Sequence, residues 1–86
     1  MNGLTRYWFR FEESGRPWLL GLGCGVTAYD EVDARRLLED EVYPVWGRGV
    51  ITDVTVNIDV QTLDQGHVIP NMAPPNLRGL WFPRLR

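Results

Sequence analysis

The chain has no lysine, one cysteine and one histidine among its 86 residues. One cysteine rules out an internal disulfide framework and points to a reducing compartment, so a cytoplasmic location is expected. With a single histidine beside it, the standard structural zinc sets cannot be assembled, and neither metal nor cofactor is expected. No apolar run is long enough to cross a bilayer, and the N-terminus lacks the basic-then-apolar layout of a signal peptide. All nine basic residues are arginine, which reads first as codon bias.

What is present is aromatic: four Trp, three Tyr and three Phe, within a hydrophobic content of 44%. A chain of this length buries only about 60–65% of the surface its unfolded form exposes, so one compact core over residues 1–86 is the expected organisation. Charge is unevenly placed. Residues 30–64 hold nine acids against three Arg, whereas residues 65–86 hold three Arg and no acid. An acidic centre is a poor footprint for nucleic acid and a better one for a basic protein.

The stretch from Trp18 to Tyr43 organises the rest. It reads as a strand, a turn and a helix. Trp18, Leu20, Leu22, Cys24, Val26 and Ala28 share one strand face; Leu19, Gly21, Gly23, Gly25 and Thr27 share the other. Three glycines at period two leave that second face bare, and a large side chain or a second molecule must cover it. A homodimer through this face is one expectation. The glycine spacing is not a nucleotide fingerprint, because the later glycine and the adjoining helix are misplaced.

The helix opens at Asp30, an N-cap with acids Glu31 and Asp33 in the first turn. Val32, Ala34, Leu37, Leu38 and Val42 form its apolar stripe, and Pro44 is expected to end it at Tyr43.

Leu4 to Glu12 alternates as a strand, with Tyr7, Phe9 and Phe11 on one face and Arg6, Trp8, Arg10 and Glu12 on the other. The turn residues 13–17 make it a hairpin with the glycine strand. Matching apolar faces allows registers placing Trp8 opposite Gly21 or Gly23. In either, a groove beside Trp8 is rimmed by Arg6 and Arg10.

Val50 to Val60 is a third strand, with Val50, Val54, Val56, Ile58 and Val60 inward and Ile51, Asp53, Thr55, Asn57 and Asp59 outward. Packed antiparallel to the first strand, it brings Arg6 and Arg10 near Asp53 and Asp59. Residues 61–75 form a Pro-rich ordered loop. Residues 76–82 give a short edge strand ended by Pro83. The fold class is α+β: two layers, one helix on a three- or four-stranded, mostly antiparallel sheet, with the first strand between the second and third.

Three functional readings follow. The leading one is a non-catalytic protein-binding module, concretely an inhibitor or immunity-type partner of a basic bacterial effector. Its partner-binding residues are Glu39, Asp40, Glu41, Asp53 and Asp59, with Arg6, Trp8 and Arg10. The second is a small thiol enzyme using Cys24 and His67, the imidazole oriented by Asn71 or Asp64. Against it, Cys24 shares a face with apolar residues, and a buried thiol is inert. The third is a sheet platform for nucleic acid around Trp8, Arg6 and Arg10. No RNP-type or helix-turn-helix pattern supports it.

Overall fold

The computed structural model describes residues 3–12 and 21–83. Four strands form one antiparallel sheet: β1 (Thr5–Phe11), β2 (Cys24–Ala28), β3 (Ile51–Val56) and β4 (Gly79–Phe82), in the order β3-β1-β2-β4. The helical segment begins as α1 (Glu31–Leu37), continues through a π-helical turn (Leu38–Val42) and ends in α2 (Tyr43–Trp46). This is the expected two-layer α+β architecture, with β1 between the strands that flank the helix. The turn expected at residues 13–17 lies outside the described residues.

Alternation along β1 divides the interior in two. Tyr7 and Phe9 face the helix, where they join Cys24, Val26, Ala28, Ala34, Leu37, Leu38 and Val42 in one cluster. Trp8 faces the other way, into a second cluster with Ile58, Val68, Trp81 and Phe82. Each fully buried side chain of this size stabilises the fold by about 1.5–3 kcal/mol relative to exposure. The Pro-rich loop packs down on that second face, with Val68 at 1% exposure and Leu63 and Met72 half-buried against the aromatics.

At Gly23 and Gly25 the glycine face is filled from within the chain. A Cβ on Gly23 would lie 2.6 Å from the Trp8 ring, and one on Gly25 would collide with the Trp81 ring. Trp8 is paired with Gly25, two residues beyond the nearer expected register. Parity fixes a register only to within steps of two; packing chooses the step. Here Trp8 leans onto its diagonal neighbour Gly23, which leaves Gly25 for Trp81 of β4. β2 begins at Cys24; the expected strand positions 18–20 lie outside the described residues, and Gly21 lies outside β2 in open space.

The helix starts as its cap predicts: the Asp33 amide donates to Asp30 Oδ1 at 2.8 Å. It does not stop at Pro44. The ladder has already widened to the π register, with the Tyr43 amide donating to the Leu38 carbonyl. Proline breaks an α-helix by lacking an N–H and clashing with the carbonyl four residues back. The added residue in the π turn moves that carbonyl away, and α2 runs on to Trp46 before Gly47 (φ 93°) ends it. Val32 also departs from the stripe, at 68% exposure.

β3 departs most. Its register shifts between Arg10 and Phe11, so Ile51 pairs with Phe11 and packs toward the helix cluster instead of facing out. Val54 packs there as expected, but Val50 and Val56 are 63% and 56% exposed. Val56 pairs with Tyr7 on the helix side, yet α1 packs over β2 and β4 and leaves this edge uncovered. The strand ends at Asn57, whose φ of 62° breaks the alternation and sends Ile58 into the opposite, tryptophan-lined cluster. Val60 follows in a 3₁₀ turn, Val60–Thr62. Accordingly, Val56→Ala should change stability by less than about 0.5 kcal/mol. Ile58→Ala should cost about 2–4 kcal/mol by leaving a cavity under Trp8. Urea unfolding of the two variants checks this; a Val56 cost as large as that of Ile58 would contradict the assignment of faces.

Candidate functional site

Glu39, Asp40 and Glu41 occupy the π turn in the middle of the helical segment, not its C-terminal end, so they do not oppose the helix dipole there. Glu39 is ion-paired with Arg48, whose guanidinium also sits 4.8 Å from the Tyr43 ring centroid. Burial raises the Tyr43 phenol above its ordinary pKa, partly offset by that guanidinium. Asp40 is exposed and Glu41 half-buried.

Asp53 is exposed on the edge strand β3, directly opposite Arg10, but no ion pair joins the two. Asp59, also exposed, caps the turn at Val60 by accepting from the Gln61 amide at 3.0 Å. Asp40, Glu41, Asp53 and Asp59 therefore make no ion pair among the described residues.

Of the basic and aromatic candidates, Arg10 lies opposite Asp53 across the β1–β3 pair, and Arg6 reaches a carbonyl one residue from Asp59. Arg6 is half-buried, its Nε donating to the Ile58 carbonyl at 3.0 Å. Arg10 is exposed. Trp8 must be removed from the partner-binding set. It is 3% exposed, with its ring 5.9 Å from Trp81 and 5.6 Å from Phe82 between centroids. A buried ring offers no face for a base or a partner to stack on, so the platform around Trp8 is not present. Its Nε1 is buried without a hydrogen-bond partner among the described residues, a cost of about 1–3 kcal/mol that the surrounding ring contacts must offset. The groove expected beside Trp8 survives only as a cavity of about 170 Å³, lined by Arg10 but not by Arg6. Because Trp8 and Trp81 cover Gly23 and Gly25, that part of the face on which the homodimer expectation rested is closed, while Gly21 stays open.

Cys24 and His67 are not brought together. Cys24 is fully buried in the helix-side cluster, and burial pushes its thiol far above the ordinary value. His67 is exposed in the loop that covers the opposite face, with Nδ1 3.3 Å from Asp64 Oδ2. Asp64 accepts from the backbone amides of His67 and Gly66, which hold its carboxyl below the usual range. Asn71 Nδ2 donates to the His67 carbonyl, not to its ring. The Asp64–His67 pair is thus a loop clasp. No group of three or more His, Cys, Asp or Glu that could hold a metal ion occurs among the described residues.

Two features escaped the sequence reading. Asp33 bridges to Arg78, with Nε 2.8 Å from Oδ2, and this hydrogen bond together with the Tyr29 amide lowers the Asp33 pKa to about 2. That pair ties the start of the helix to the approach of β4 across 45 residues of sequence, a separation no local pattern reveals. The other is an apolar cleft in the loop layer, lined by Val60, Ile69 and Met72 among others. Its signal in the sequence was the density of apolar residues inside a Pro-rich loop.

No protein-family model, curated protein or solved structure matches the chain. No helix among the described residues is long and apolar enough to cross a membrane. The burial of Cys24 has a direct check. Maleimide should fail to label it in the folded protein and label it readily in denaturant; fast labelling under native conditions would contradict its placement.

Proposed function

We propose that this protein is a non-catalytic binding module for a basic protein, with an inhibitor or immunity-type partner of a basic bacterial effector as the concrete form. One observation carries the reading: Asp40, Glu41, Asp53 and Asp59 stand on the surface with no ion pair among the described residues. Acids not locked into an ion pair keep part of their field in solution, where it draws a cationic partner into encounter. The burial of Cys24 and its separation from His67 favour this reading over a thiol enzyme.

Exposed acids act mainly on the rate of association, because their attraction is felt before contact and screened by salt. Asp40 and Asp53 suit a test better than Glu39, whose reversal also breaks its pair with Arg48. The protein is used to capture its partner from extract at low salt, and association is then measured against ionic strength. Asp40→Lys/Asp53→Lys should slow association about tenfold or more at low salt and flatten its salt dependence. Co-expression of the parent protein should also neutralise a toxic basic partner. Identical kinetics for parent and double variant would remove the acidic surface from the interface.

A further inference from the structure

The cleft in the loop layer has a volume of about 530 Å³, within the range of about 300–1,000 Å³ typical of ligand sites. Its walls come from the turn at Val60 and Gln61 and from the segment containing Ile69, Met72, Pro74 and Pro75. Both are tied to the framework. Asp59 caps the first, and the Leu63 amide closes it on the Val60 carbonyl at 3.1 Å. In the second, the Ala73 amide donates to the Trp81 carbonyl at 2.8 Å, and the Pro75 carbonyl accepts from the buried Thr27 hydroxyl. The concavity is therefore built by the chain's own hydrogen bonds. Pro74 and Pro75 present no backbone N–H, so their part of the wall rewards apolar burial and not hydrogen bonding.

Charge gives the second observation. Residues 49–77, which supply the whole lining, contain no Arg or Lys, and of their acids Asp64 lines the separate cavity beside Trp8, which leaves Asp59 next to the wall. Asp59 is exposed and adjoins the wall at Val60. Arg6, on the neighbouring strand, is drawn inward to the Ile58 carbonyl. The single histidine of the segment is engaged with Asp64.

We infer that this cleft is the anchor point for the basic partner, taking one bulky apolar side chain whose flanking Lys or Arg residues face Asp59. The inference rests on the reading of the protein as a binder of basic proteins and adds where, and by what chemistry, the partner is gripped. A buried apolar anchor supplies the binding energy and the acid beside it selects the sequence context.

The test is an NMR titration with a capped lysine–phenylalanine–lysine tripeptide, beside glycine-centred and glutamate-flanked versions. Shifts should concentrate at Val60, Ile69, Met72 and Ala73. The glycine-centred peptide should bind at least about tenfold more weakly. Asp59→Asn keeps an N-cap acceptor while removing the charge, and should weaken the parent tripeptide about two- to fivefold with the rest of the spectrum unchanged. Equal response to the glycine-centred peptide, shifts confined to Asp40 and Glu41, or no shifts at all would each overturn the anchor site. Salt-dependent association that is sensitive to Asp40 and Asp53 would in that case leave the broader reading standing, so the two can fail separately.

Discussion

The rings of Trp8 and Trp81 lie where Gly23 and Gly25 have no side chains, and most of the architecture depends on that contact. Two indoles packed on bare backbone form a second core on which the loop layer lies, opposite the core under the helix. The packing is anchored chemically as well as sterically. Trp81 Nε1 donates to Thr27 Oγ1 at 3.0 Å, and that hydroxyl donates on to the Pro75 carbonyl. One buried threonine thus links β2, β4 and the Pro-rich loop, so the edge strand and the loop hold each other in place. A short edge strand of four residues has little stability of its own. Trp81 and Phe82, buried at 1% and 0% exposure, fix it to the sheet.

This arrangement decides which surfaces remain for function. Both sheet faces are covered near the glycines, which removes the aromatic platform and places Cys24 and His67 on opposite sides. What remains outside is charge on the helix, the edge of β3 and the loop layer. The acids there contribute little to stability, since exposed pairs are worth about 0–1 kcal/mol. That Asp40, Glu41, Asp53 and Asp59 form no ion pair among the described residues bears more on encounter with a partner than on folding. The loop that seals the tryptophans also shapes the apolar cleft, so the same segment serves the core and the proposed interface.

Much of the fold was legible in the sequence because it rests on short-range patterns. The alternation of Tyr7, Phe9 and Phe11, the Asp30 cap and the three glycines at period two specified the strands, the helix start and an aromatic cover. The failures share a cause: an irregularity in the backbone reset a local period. The register shift at Arg10 turned Ile51 inward, left-handed Asn57 moved Ile58 to the other face, and the π turn carried the helix past Pro44. Trp8 was expected as cover and also as a binding residue; the structure assigns it wholly to cover. Of the candidate site, exposure of Asp40 and Asp53 followed from the pattern, whereas Asp59 is exposed as the cap of the Val60 turn, after the alternation has broken. The cleft did not, because its walls meet only once the loop has packed on the sheet.

Closure of the glycine face at Gly23 and Gly25 by the chain's own tryptophans can be read from a nuclear Overhauser spectrum of the folded protein. Strong cross-peaks should join the Trp8 ring protons to the Gly23 α protons and the Trp81 ring protons to the Gly25 α protons. If those cross-peaks are missing while both indoles are readily quenched by acrylamide, the face is open, and the account of the fold and of its remaining surfaces is wrong.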